Sequence, residues 1–218
     1  MPLDVLNPFD QSLVCSLDYD EGARLEAKIA AAHSAAEGWR QVPLKERIEQ
    51  VRQGLERFRA SSDRIAAEVS RQMGKPITQA RGEVDTVFAR ADHMLEIAPQ
   101  VLSPEALPPV DDLHRRIEHA PLGLVFNLAA WNYPLIIPVN VIVPALAAGN
   151  CAVIKPSEFT SASTLDCHNK CPSLGLKPNN CPSAEATTTT LSPNPTPAER
   201  SNLESTCQTT LPVISSKA

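Results

Sequence analysis

The chain has 218 residues, of which 43% are apolar and 21% charged, and its formal net charge is −5. This composition is typical of a globular protein and excludes the basic surface of a nucleic-acid-binding domain, so we expect no nucleic-acid partner. The longest apolar stretch, residues 135–148, is interrupted by prolines and shorter than the roughly 20 residues of a membrane span, so we expect no membrane association. Residues 1–12 contain two aspartates and no apolar core, which is not typical of a secretory signal. The predicted location is the cytoplasm.

The composition changes after residue 164. All aromatic residues lie between Phe9 and Phe159, whereas residues 165–218 contain 7 Ser, 8 Thr and 7 Pro. Such a segment buries too little apolar surface to offset the entropy lost on ordering. We therefore predict a folded part over residues 1–164 and a disordered tail over 165–218.

The first half of the chain predicts a hairpin followed by four helices. Short apolar runs flank the turn residues 7–10, which is typical of a β-hairpin over residues 4–18. Apolar residues then recur at helical spacing, separated by Gly and Pro. The predicted helices begin at residue 23 with Asp20 as the N-cap, at Pro43, after Ser61-Ser62, and at residue 78; they end near Gly38, Phe58, Met73 and Val101.

The second half predicts a linker, an arm and a βαβ unit. Residues 99–109 contain four prolines and indicate a linker, and residues 114–119 indicate an exposed strand or arm. Apolar runs at 122–128 and 151–154 are typical of buried strands, and the apolar segment 134–148 between them is long enough for a helix that ends at Gly149. Two strands joined by a crossover helix are parallel, so the predicted fold class is α/β.

Polar side chains follow both predicted strands. Residues 129–134 lie beyond the carboxyl end of the first strand, and residues 155–158 lie beyond that of the second. Open α/β sheets bind ligands in this crevice. An Asn amide there can donate to a developing oxyanion, and Lys and Glu can hold ribose hydroxyls. Spacing alone, however, favours ordinary loop and cap roles for these residues.

Four motifs give the chain a family resemblance. They are Trp131-Asn132-Tyr133-Pro134, the PALAAGN run at 144–150, Lys155-Pro156-Ser157-Glu158, and Met73-Gly74-Lys75-Pro76 followed by Gly82-Glu83. In order and spacing, residues 1–164 resemble the N-terminal third of an NAD(P)-dependent aldehyde dehydrogenase. The resemblance implies a helical layer beside a partial Rossmann-like sheet, a nicotinamide cofactor and an aldehyde substrate.

The resemblance also implies roles for individual residues. Asn132 matches the catalytic asparagine that helps form the oxyanion hole, and Trp131 matches part of the wall beside the cofactor. Lys155 and Glu158 match residues that hold the adenosine ribose, where a carboxylate favours NAD over NADP. Ala130 stands where the family usually has proline. The full set of predicted cofactor-binding residues is Leu128, Ala129, Ala130, Trp131, Asn132, Lys155, Ser157 and Glu158.

The family's chemistry needs residues that this sequence does not contain. The nucleophilic cysteine stands in a Gly-Gln-x-Cys context, and a glutamate base activates water for deacylation. The 218 residues contain no such context. Cys151 is predicted to be a core residue, and Cys207 falls in the predicted tail. A Cys/His group formed by Cys167-His168, Cys171 and Cys181 matches no standard zinc spacing, so no metal site is predicted.

Three hypotheses follow. The first is a truncated, inactive aldehyde dehydrogenase whose tail is not family sequence, as a frameshift or a retained intron would produce. The second is a non-catalytic partner that associates with full-length dehydrogenase subunits through its helical layer and the 114–119 arm. The third, a genuine cofactor-binding module, is disfavoured because half a sheet is expected to leave Leu124, Val125 and Ile154 under-covered. The sequence predicts neither the aldehyde nor the oligomeric state.

Overall fold

The first half of the chain forms the predicted hairpin and helices. The structure is a computed structural model that describes residues 2–161 and 187–188. Strands β1 (Leu3–Leu6) and β2 (Leu13–Leu17) pair antiparallel, which confirms the predicted hairpin. The four helices are α1 (Gly22–Trp39), α2 (Leu44–Arg59), α3 (Ser62–Met73) and α4 (Ile77–Val101).

The N-cap of α1 differs from the prediction, whereas its predicted end near Gly38 is confirmed. Asp20 is not its N-cap: Glu21 holds that position, and it makes no side-chain capping bond. The buried Asp20 carboxylate instead pairs with Arg24 and Lys28, each at 2.6 Å, because these cations follow it on the first turns of α1. At the other end, α1 runs through Gly38 to Trp39, whose side chain is fully buried.

The predicted linker is wrong. Helix α4 continues through Pro99, and residues Glu105–Val110 form strand β3, which pairs antiparallel with β4 (Leu113–Ile117). Proline is tolerated in strands at irregular or edge positions because it cannot donate to the ladder. Pro108 and Pro109 lie where the register shifts, between Leu107 and Val110. Strand β4 confirms the predicted exposed arm, since all five of its residues are exposed.

The βαβ unit is confirmed. Strands β5 (Leu124–Leu128) and β6 (Cys151–Lys155) are parallel and in continuous register, and α5 (Ile136–Ala147) connects them. Gly149 supplies the positive φ, +92°, that turns the chain from α5 into β6. A two-residue strand, β7 (Thr187–Thr188), lies parallel to β6 on its other side. Apart from β7, the segment 165–218, for which a disordered tail is predicted, lies outside the described residues. So do the Cys/His group and Cys207.

The core forms where the helices meet each other and the sheet. Helix α4 packs against α3, α2 and α5, while α1 packs against β5 and β6. One side of α4 is buried in this core, and Cys151 is a core residue as predicted; the buried apolar residues at helical spacing on α4 are Val84, Val87, Phe88, Ala91 and Leu95. The expectation that Ile154 is under-covered is wrong: it is buried because α1 and β7 pack beside β6, whereas Leu124 and Val125 are half-buried.

Two side chains of the helical layer anchor the end of α5. The Trp39 indole Nε1 donates to the Leu146 carbonyl at 2.9 Å. Arg47 donates from Nε to the Ala147 carbonyl at 2.9 Å and from Nη1 to the Val42 carbonyl at 2.6 Å. The last four carbonyls of a helix have no partner within it. Arg47 supplies a donor for the Ala147 carbonyl, and Trp39 adds a second donor to the Leu146 carbonyl, which also accepts from the Gly149 amide at 3.0 Å. Within residues 2–161, no helix has the length and hydropathy needed to cross a bilayer.

Candidate functional site

Two loops leave the same edge of the parallel sheet side by side. The ladder of β5 and β6 ends at the pair Leu128 and Lys155. Immediately beyond it, the Ala129 amide donates to the Lys155 carbonyl at 2.9 Å. This hydrogen bond joins the first residue of the loop 129–134 to the first residue of the loop 155–158. The two predicted groups of site residues therefore lie at one sheet edge.

The loop of residues 129–134 presents large side chains to the surface. Trp131 is 55% exposed and Leu128 is 62% exposed, while Ala129 and Ala130 are half-buried. The Asn132 side chain is also exposed. Pro134, the last residue of the loop, is fully buried. The loop thus exposes an indole and an amide beside the apolar side chain of Leu128, while Pro134 is packed into the core.

The second loop carries an ion pair. The Lys155 ammonium, half-buried at the end of β6, donates to Oε1 of Glu158. Burial raises the pKa of Glu158, but the hydrogen bond and positive charge of Lys155, with a backbone hydrogen bond, outweigh it, so the pKa lies below its ordinary value. Glu158 is therefore a carboxylate at neutral pH. The ion pair stabilises the folded chain above the ordinary glutamate pKa and loses this contribution as the pH falls through the lowered one.

Ser157 shapes the turn that carries Glu158. Its side chain is buried, and its Oγ accepts a hydrogen bond from the Phe159 amide at 3.3 Å. The Ser157 carbonyl accepts from Ser161 Oγ at 2.7 Å and from the Thr160 amide at 3.2 Å. These bonds close a tight turn directly after β6. The geometry therefore gives Ser157 a role in holding the loop, and its contact with a cofactor stays a prediction.

A buried ion pair supports the first loop from below. Lys75, which follows α3, donates from Nζ to Glu83 Oε2 on α4 at 2.5 Å. The same ammonium donates to the Asn132 carbonyl at 3.2 Å, and Glu83 Oε1 accepts from the Leu135 amide at 3.0 Å. Lys75 and Glu83 belong to the motif of residues 73–83, and neither is among the predicted site residues. The missed signal is Glu83 itself, a carboxylate at helical spacing among the buried residues of α4.

The polar groups at the sheet edge fit a hydroxyl-rich ligand with a planar ring system. A carboxylate accepts hydrogen bonds from hydroxyls, and an ammonium donates to their oxygens. The exposed indole and the apolar residues before it suit a flat aromatic group. Loops beyond the carboxyl ends of parallel strands are where open α/β sheets bind nucleotides. Lys155, Glu158 and the segment 128–131 are therefore compatible with a dinucleotide.

Comparison with known sequences identifies similar proteins. The model of the aldehyde dehydrogenase family matches residues 1–180. The chain is 32% identical to the succinate-semialdehyde dehydrogenase [NADP(+)] of Deinococcus radiodurans over 164 residues, which are 75% of this chain and 34% of that protein. It is 36% identical to the N-succinylglutamate 5-semialdehyde dehydrogenase of Novosphingobium aromaticivorans over 139 residues, 64% of this chain and 30% of that protein.

Solved structures show the same fold. The structure of PnpE from Pseudomonas sp. WBC-3 is 30% identical with a TM-score of 0.75, and the match covers 81% of this chain and 36% of that one. An aldehyde dehydrogenase from Brucella melitensis biovar abortus 2308 is 26% identical with a TM-score of 0.76 over the same shares. The chain spans about a third of the length of the curated relatives it matches.

Proposed function

The chain belongs to the aldehyde dehydrogenase family, and from this premise we propose that residues 1–164 form one side of an NAD(P)-dependent aldehyde-oxidising site. The observation that carries the proposal is the sheet edge at which the Ala129 amide bonds to the Lys155 carbonyl. At this edge the loop that carries Asn132 lies beside the loop that carries Lys155 and Glu158. We expect the family's cofactor and substrate to bind there. We further propose that the protein acts in the cytoplasm.

Asn132 is proposed as the catalytic residue on this side of the site. Its side-chain amide would donate a hydrogen bond to the aldehyde oxygen, which becomes negative when a thiolate attacks the carbonyl carbon. A fixed donor at that point favours the transition state more than the ground state. When bound, the nicotinamide cofactor supplies the acceptor for the hydride that leaves the substrate carbon. The exposed side chain of Asn132 is compatible with this role.

Lys155 and Glu158 are proposed to hold the ribose of the cofactor. The ammonium would donate to a ribose oxygen and the carboxylate would accept from a hydroxyl. Because the pKa of Glu158 is lowered, its negative charge persists at neutral pH and would repel a 2′-phosphate. We therefore propose NAD as the preferred cofactor, with Leu128, Ala129, Ala130 and Trp131 forming the surface against which it lies and Ser157 holding the turn beside it.

The 218-residue chain is proposed to be inactive on its own. It contains no Gly-Gln-x-Cys segment, and Cys151 is buried in the core, away from the exposed loop of Asn132. The test is a spectrophotometric assay of the purified chain with NAD or NADP and a panel of aldehydes. We expect no aldehyde-dependent reduction of either cofactor. Reduction that disappears when one cysteine is replaced by serine would contradict the proposal.

A hybrid enzyme tests the positive part of the proposal. Residues 1–164 of this chain would replace the matching segment of the Deinococcus radiodurans relative, which supplies the remainder of the protein. We expect aldehyde-dependent cofactor reduction by the hybrid, with a preference for NAD that Glu158→Gln shifts towards NADP. Glu46→Gln, at an exposed position on α2, is the matched control. An active hybrid with the same cofactor preference in both variants would refute the role of Glu158.

The β3–β4 hairpin favours a second candidate function. Every residue of β4 is exposed, and Leu113 and Ile117 are 62% and 46% exposed. Exposed apolar side chains on an edge strand are typical of a surface that pairs with another chain. The alternative is therefore a non-catalytic partner of full-length dehydrogenase subunits. Co-purification with such a subunit, lost in Leu113→Ser, would support it, and elution of the chain without the subunit would count against it.

A further inference from the structure

Glu83 connects the helical layer to the loop that carries Asn132. Its side chain is 1% exposed, and both of its oxygens are used: Oε2 accepts from Lys75 Nζ at 2.5 Å and Oε1 accepts from the Leu135 amide at 3.0 Å. Leu135 is the N-cap residue of α5. Amides at a helix start lack intrahelical partners, and the helix dipole favours a negative charge there. Glu83 on α4 therefore holds the start of α5.

Lys75 holds the other end of the same short segment. An ammonium has three donor hydrogens. Besides its bond to Glu83, Lys75 Nζ donates to the Asn132 carbonyl at 3.2 Å and lies 4.4 Å from the centre of the Tyr133 ring. The ammonium thus contacts the backbone of Asn132 and the face of Tyr133, a cation–π geometry. Together, the buried pair touches three of the four residues from 132 to 135.

The pair is itself fixed by rigid elements. Glu83 lies in the first third of the long helix α4, and Lys75 follows the C-cap of α3. Gly74 at that C-cap has φ +69°, and Ser70 Oγ donates to the Lys75 carbonyl at 2.7 Å, so the backbone of Lys75 is held as well. The Lys75 side chain is 10% exposed. Its ammonium therefore has little freedom to leave the pair.

We propose that Lys75 and Glu83 are positioning residues for Asn132. The Asn132 side chain is exposed, so the direction of its amide depends on the backbone that carries it. Lys75 fixes the Asn132 carbonyl, and Glu83 fixes the Leu135 amide three residues later. The direction of the oxyanion donor is set by an ion pair that never touches the substrate. The importance of this positioning for catalysis rests on the proposed function; the fixing of the loop does not.

The adjacent Trp131 provides a reporter in the full chain. The sequence has two tryptophans, and Trp39 is fully buried, so the fluorescence that acrylamide quenches readily comes from Trp131. Trp131→Phe measures the Trp39 signal to be subtracted. We expect Lys75→Met to raise the quenching constant of Trp131 about twofold and to lower its anisotropy, because the segment after it is released. Lys75→Arg, which keeps a buried cation, is expected to recover part of the difference, and Lys45→Met on the exposed face of α2 is the matched control.

Folding and function are separated by further measurements. Far-UV circular dichroism identifies the variants that fold, and only those are compared. If Lys75→Met does not fold, Tyr133→Leu removes the ring contact from the exposed side and is expected to give a smaller rise in quenching. Unchanged quenching and anisotropy of Trp131 in a folded Lys75→Met chain would overturn the proposal. If only Tyr133→Leu folds, the same result in that variant would overturn it. The fluorescence measurement uses neither cofactor nor aldehyde. The positioning role can therefore be refuted while the proposed function holds, and the proposed function can be refuted while the positioning role holds.

Discussion

Replacing Arg47 with methionine tests how the helical layer holds α5. Arg47 donates to the Ala147 carbonyl at 2.9 Å and to the Val42 carbonyl at 2.6 Å. Hydrogen bonds from a charged donor contribute about 1.5–3 kcal/mol each, and a cation at a helix C-terminus contributes about 0.3–1 kcal/mol. Burial lowers the pKa of Arg47, which shows that holding this charge in the protein carries a desolvation cost, and methionine removes that cost. The expected net loss is about 2–4 kcal/mol of the free energy of unfolding.

Urea unfolding followed by far-UV circular dichroism measures this loss. Arg47→Lys keeps the charge but cannot donate two hydrogen bonds in the fork geometry of a guanidinium. Its free energy of unfolding is therefore expected to lie between that of the wild type and that of Arg47→Met. Arg57→Met, at an exposed position on the same helix, is the matched control and is expected to change the unfolding free energy by less than about 0.5 kcal/mol. Equal losses in Arg47→Met and Arg57→Met would refute the role given to Arg47.

Three further predictions concern other contacts. Trp39→Phe removes a buried indole donor and is expected to cost about 1–2 kcal/mol in urea unfolding; an unchanged midpoint would contradict it. Lys155→Met removes the partner that lowers the pKa of Glu158 while burial remains, so a carboxyl NMR titration should show that pKa rising above its ordinary value; an unchanged midpoint would exclude the ion pair in solution. Gly74→Ala places a Cβ at a residue with φ +69° and 3.1 Å from Pro8, so the thermal midpoint of unfolding should fall. In Gly82→Ala the added Cβ has no atom within 4 Å, so the midpoint should stay equal or rise.

Local patterns in the sequence predicted most of the fold. The hairpin, the α2–α4 helices and the βαβ unit follow from apolar periodicity and from Gly and Pro at the boundaries, which act over a few residues. Strand β3 is not predicted by the sequence, because a segment with four prolines is typical of a linker. Its pairing with β4 and the register shift that accommodates Pro108 and Pro109 are tertiary features that composition does not encode.

The candidate site was predictable in part for the same reason. Parallel strands end at one sheet edge, so the meeting of the loops at 129–134 and 155–158 follows once the βαβ unit is identified. The support beneath the first loop does not follow, because Lys75 reaches the Asn132 carbonyl across 57 positions of sequence. A buried charge needs a partner, so Glu83 on the buried face of α4 indicated that one exists but not which residue it is.

The central claim is that Asn132 is the oxyanion donor of an aldehyde dehydrogenase site. Asn132→Ala in the hybrid enzyme tests it most directly, with kcat and KM for the aldehyde measured by cofactor reduction. Removal of one such donor lowers kcat by about 100- to 1000-fold in other enzymes, and we predict a loss of that order with a much smaller change in KM. An active hybrid whose kcat is the same with Asn132 and with alanine at that position would contradict the claim.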